Sequence, residues 1–89
     1  MDAAEFEAAL KRDGFNEILT AGFPGGHQLG DHAHPYALRA LVIEGEFHIA
    51  VDGVETGYRP SEVFALEKDV HHTERAGPAG VRFLIGRKR

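Results

Sequence analysis

At 89 residues, with 43% apolar and 27% charged side chains, the chain has the composition of one small globular domain, which excludes a disordered segment or a fibre. Ten basic against fourteen acidic residues leave a formal charge of −4, without the basic face that nucleic-acid binders carry. Cysteine is absent, which rules out disulfides and thiolate ligands, and six histidines remain as the groups for metal binding or proton chemistry.

Taken in order, residues 2–13 read as a short helix. Asp2 with Glu5 three positions on resembles a capping box, Phe6 and Leu10 share a face, and Gly14 stands where a C-cap belongs. From there the pattern is of strands: 15–20, a glycine-rich loop over 22–30, then 36–43 and 47–51 separated by a tight turn at Glu44-Gly45. Asp52-Gly53 is the strongest hairpin signal and leads into a strand over 54–59. Further strands are expected at 63–66, 70–74 and 81–85, with Gly77-Pro78 and Gly80 breaking the last gap. One helix followed by seven or eight short strands predicts an all-β fold, a small antiparallel barrel or sandwich. Residues 1–14 then form the N-terminal helix and 15–89 the single β domain. Residues 40–43 are apolar at both parities, as in a strand covered on two faces, and so small a core has a physical motive to take a homodimer partner. The acidic start Met1-Asp2-Ala3-Ala4-Glu5 is unlike a signal peptide. No apolar run approaches the roughly 20 residues of a membrane helix. A cytoplasmic protein without membrane or nucleic-acid partner is the expectation.

His32 and His34 form an H-x-H pair, and on extended backbone alternate side chains share a face, so both imidazoles can enter one cavity. His71 adjoins His72 with opposite parity and reads as exterior. His48 reads as surface, His27 as a solvated loop residue able to reach the mouth, Arg39 as a solvated strand residue, and Arg87-Lys88-Arg89 as a solvated tail. Asp31 has the wrong parity to join its neighbour His32. Glu74 shares the parity of His72, and two residues rise about 6.6–6.8 Å along a strand, which places it one layer away from that imidazole. There it can orient an imidazole N–H or act as a general base.

Gly26, His32, His34 and Gly45 fall at the spacing G-x5-H-x-H-x3-E-x6-G, which resembles the first motif of the cupin superfamily, with Leu38 where the glutamate stands. Asp52-Gly53 and the stretch Tyr58-Arg59-Pro60-Ser61-Glu62-Val63-Phe64 are similar to the following cupin segment. In the second motif, G-x5-P-x-G-x2-H-x3-N, His72 keeps the histidine position, while Ser61, Glu67, Asp69 and Ala76 replace the other fixed residues. The resemblance implies a jelly-roll barrel in which His32, His34 and His72 hold one divalent transition metal (Fe, Zn, Ni, Mn or Cu), with Tyr36 and Leu38 lining the pocket. Single-domain cupins commonly dimerise.

Leu38 alters the chemistry expected of such a site. Three neutral imidazoles leave a divalent ion at its full charge, which favours anionic or bidentate substrates and several metals. The function expected is a three-histidine metalloenzyme, dioxygenase-like or a related lyase or isomerase, acting on a small organic acid. The other readings are a sensor or carrier barrel without turnover, and a barrel in which metal only staples a small core.

Overall fold

The computed structural model describes residues 1–89. Helix α1 spans Ala3–Arg12, and the strands are β1 (Glu17–Phe23), β2 (Gln28–His32), β3 (Ala37–Val51), β4 (Val54–Tyr58), β5 (Val63–Leu66) and β6 (His72–Lys88). The Asp2 carboxylate accepts the Glu5 N–H at 2.8 Å and caps α1. Asp52 and Gly53, at φ 51° and 79°, make the left-handed turn that joins β3 to β4. No helix is long and apolar enough to cross a membrane.

Two long strands form the spine. β3 and β6 pair antiparallel from Ala37↔Lys88 to Ala50↔Thr73, and each carries short strands on its free edge: β5 and β4 on β3, β1 and β2 on β6. This corrects the expected strand count. Glu44-Gly45 lies inside β3 between two register shifts and is not a turn, and β6 runs through Gly77-Pro78 and Gly80, so six strands replace seven or eight. β1 starts later than expected, at Glu17, and continues to Phe23; β2 begins at Gln28, so strands take both ends of the expected loop.

The bulge sets the interior. Leu38, Ala40 and Val42 face inward on the first half of β3; Ile43 is left without a partner on β6, and inward positions continue at Phe47 and Ile49. On β6 the inward residues change from His72 and Ala76 to Val81, Phe83 and Ile85 across 77–80, a stretch without register partners on β3. A bulge adds a residue and bends its strand, so both halves of the sheet turn their apolar faces to one core. Pro78, lacking an N–H, sits where no ladder bond is lost.

The outer face of the first half is covered within the chain. Phe6, Leu10 and Phe15 pack on Leu41 and Leu84, with Ile43 beside them, which accounts for the apolar character of 40–43 at both parities. Arg39 holds the helix end: it donates to Asp13 at 2.6 Å and lies 4.4 Å above the Phe15 ring, a bound role in place of the solvated one expected.

Gly45 and Gly53 share a φ near +80°, but only Gly45 is crowded: a Cβ there would fall on the Gly80 carbonyl, whereas Gly53 faces open space. Gly53→Ala should therefore show only the left-handed backbone cost of about 1–2 kcal/mol. Gly45→Ala should lose clearly more in urea denaturation, because both contacting groups are backbone. Equal losses at the two positions would refute the close crossing.

Candidate metal centre

β2 ends and β6 begins at the same point of the barrel, where His32 and His72 are cross-strand partners. The chain leaving β2 brings His34 back beside them. Ring centroids lie 4.2 Å apart for His32 and His72, 5.0 Å for His32 and His34, and 5.3 Å for His34 and His72. One nitrogen from each lies within 4.8 Å of the other two. Nitrogens sharing a tetrahedral ion at about 2.0–2.1 Å are roughly 3.3 Å apart, a closure within the reach of side-chain adjustment.

The hydrogen bonds show which face of each ring is available. His32 donates Nδ1–H to the Gly30 carbonyl at 2.7 Å, and His72 donates Nδ1–H to the Val70 carbonyl at 3.0 Å. A carbonyl can only accept, so each Nδ1 carries the proton and each Nε2 presents a lone pair. Both Nε2 atoms are buried without a hydrogen-bond partner, and His72 is only 2% exposed. Such an atom costs about 1–3 kcal/mol if left unsatisfied. A backbone-anchored Nδ1–H with a free Nε2 is the arrangement that histidine ligands adopt around metals, and the residues present fit a divalent ion. His34 completes the set: burial, then the neighbouring His32 and His72, hold its pKa below the usual histidine value and keep it neutral.

Glu74 comes closer than its strand position suggests. Its Oε2 is 3.8 Å from Nε2 of both His32 and His72, and its Oε1 is 3.5 Å from Nε2 of His27, so the carboxylate reaches back toward the imidazoles. His27 is accordingly not a solvated loop residue; it stacks on Phe23 with ring centroids 3.9 Å apart. His48 lies on the outer face, but it is largely covered and held by Glu46 at 2.6 Å. His71 is exposed and bonds Asp31, which also points outward.

Tyr36 and Leu38 line the cavity, which measures about 180 Å³ and is otherwise walled mainly by Phe23, Phe47, Phe64 and Phe83. An engineered cavity of about 150 Å³ holds benzene, so a small organic molecule fits. Tyr36 stacks on His34 with centroids 5.0 Å apart. Sequence reasoning missed Arg87, which also lines this cavity and is no free tail residue. Lys88 and Arg89 are engaged too, with the Asp13 carbonyl and Glu17 respectively.

No family model matches the chain. Among solved structures, an RmlC-like cupin from Shewanella frigidimarina superposes with a TM-score of 0.65 at 29% identity, over 80% of this chain and 65% of that one. The chain is a small cupin. The same barrel recurs in the dimethylsulfoniopropionate lyase DddQ of Ruegeria pomeroyi, at a TM-score of 0.72 and 16% identity, over 81% of this cupin and 37% of that chain; this likeness is one of fold. In sequence, the cupin is 36% identical over 66 residues to the dimethylsulfoniopropionate lyase DddW of Ruegeria pomeroyi. That match covers 74% of this cupin and 43% of the lyase, so the chain spans less than half the length of that relative.

Two measurements follow from the geometry. Saturation with zinc at a hundred times its Kd should stabilise the cupin by about 2.7 kcal/mol, and His32→Ala or His72→Ala should abolish both the stabilisation and the bound metal in elemental analysis. Retention of stoichiometric metal by both variants would exclude these ligands. In the metal-free protein, the lowered pKa of His34 means that the unfolded chain binds more protons than the native state between that value and the ordinary histidine value of 6.5. Stability should therefore fall as pH drops through 6.5 and level off below the lowered value. His32, His72 and Arg87 oppose the proton and Glu74 favours it, so His34→Gln should flatten the slope in thermal melts.

Proposed function

We propose that this cupin is a metal-dependent lyase acting on a small organic acid, with dimethylsulfoniopropionate as the first candidate substrate. The observation that carries the reading is the pair of unpartnered Nε2 atoms of His32 and His72 beside the Glu74 carboxylate. The sequence likeness to DddW supports an elimination over an oxygen-using reaction.

His32, His34 and His72 would hold the ion through neutral nitrogens, in the tautomers that Gly30 and Val70 impose on the first and last of them. A divalent ion, when bound, supplies Lewis acidity. Glu74 is the only carboxylate lining the cavity and is the general base: it takes the proton from the carbon beside the substrate carboxylate. The electron pair released forms the carbon–carbon double bond, and dimethyl sulfide leaves with the electrons of the carbon–sulfur bond. The aromatic walls suit a sulfonium group, whose positive charge is attracted to ring faces.

Metal-loaded protein given dimethylsulfoniopropionate should release dimethyl sulfide and acrylate in equal amounts, and chelator should stop the release. Glu74→Gln should lower kcat by about 10²–10⁴-fold while leaving bound metal unchanged. Stoichiometric metal with no sulfide release would reject the lyase reading and leave the metal centre standing. Oxygen consumption with a small organic acid would favour the dioxygenase-like alternative, and ligand-induced stabilisation that ignores chelator and yields no product would favour a sensor.

A further inference from the structure

Arg87 is inward-facing on the C-terminal half of β6, continuing the alternation of Val81, Phe83 and Ile85. It is the only cation lining the cavity, it forms no ion pair, and its Nε is buried without a hydrogen-bond partner. Its guanidinium lies 5.0 Å from the Tyr36 ring centroid, which holds the group beside His34 and not out in solvent. Burying part of a guanidinium with an unmet donor is costly unless an anion completes it.

The register supplies the reason why that anion is missing from the chain. Arg87 is the direct cross-strand partner of Leu38, and such partners on one face have Cβ atoms about 4.5–5.5 Å apart. On its other side the cross-strand partner of Arg87 is Glu17, which is exposed and engaged by Arg89 at 3.4 Å, so neither neighbour offers Arg87 a free carboxylate. Glu74, the acid that lines the cavity, is turned to His27, His32 and His72. The fork of a guanidinium matches a carboxylate through two parallel N–H···O bonds.

We propose that Arg87 is the specificity-determining residue of the cavity and that it binds the carboxylate of a small organic acid in the space opposite Leu38, with the acid's other end toward the histidines. This rests on the cavity being the substrate site and adds the group that selects the substrate class.

The probe is propanoate, with propanamide as its uncharged counterpart, titrated by calorimetry into zinc-loaded and metal-free protein, with zinc measured in the same samples. Wild type should bind propanoate and favour it over propanamide. Arg87→Gln should weaken propanoate by about tenfold or more, leave propanamide unchanged and keep its zinc. Arg87→Lys keeps the charge and the packing stem but loses the fork, so it should fall between the two and serves if Arg87→Gln does not fold. An Arg87→Gln or Arg87→Lys protein that binds propanoate as wild type does, or a wild type that prefers neither probe, overturns the assignment. If no sample holds zinc and propanoate binding still depends on Arg87, the metal reading fails and the carboxylate assignment stands.

Discussion

The long pairing of β3 with β6, whose register shifts on either side of Glu44-Gly45, is the constraint on which the remaining structure depends. A continuous ladder of this length would present alternate residues to fixed faces from end to end. The unpartnered Ile43 on one strand and residues 77–80 on the other let the inward positions change parity midway. His72 and Arg87, of opposite parity along one strand, therefore enter the same cavity. The crossing is tight because glycine backbone meets glycine backbone, with the Gly45 Cβ position on the Gly80 carbonyl. The bend that encloses the core also makes a site whose two ends come from opposite halves of the sheet.

At the imidazole end, order comes from the backbone. The carbonyls of Gly30 and Val70 each lie two residues before the histidine they bind, so each bond is local and is set as soon as the strand ends take shape. That arrangement fixes the tautomers before any ion arrives, and so lowers the cost of assembling the ligand set. His34 has no such anchor; it depends on stacking with Tyr36 and on the field of its neighbours. The three histidines are thus unequal, with two preset nitrogens and one adjustable ring.

Much of this was legible in the sequence where the signal is local. The Asp2 cap, the Asp52-Gly53 turn and the histidine spacing each involve few residues, and each has the structure expected of it. Glu44-Gly45 was not legible, because a positive-φ glycine serves a turn and a bulge equally; only the non-local crossing with Gly80 decides between them. The same ambiguity makes β6 read as two strands, and Arg87 then reads as part of a charged tail, although Val81, Phe83 and Ile85 point to it by a period of two. Glu74 was placed one layer too far because strand rise measures Cα positions, while a glutamate side chain can lean back along the strand.

The charges in the cavity point to what must enter it. Glu74 and Arg87 cancel formally, and the Nε2 atoms of His32 and His72 are without hydrogen-bond partners. A divalent ion bound there would keep its whole charge inside a cavity walled by phenylalanines, where the effective dielectric is low and an uncompensated charge is costly. A glutamate at position 38 would have offset part of that charge; Leu38 does not. Within the cavity, Glu74 is the one carboxylate near enough to offset such a charge, at 3.8 Å from the Nε2 atoms of His32 and His72. Leu38 thus bears on both ends of the site: it would offset none of a bound ion's charge, and it sets an apolar side chain opposite Arg87.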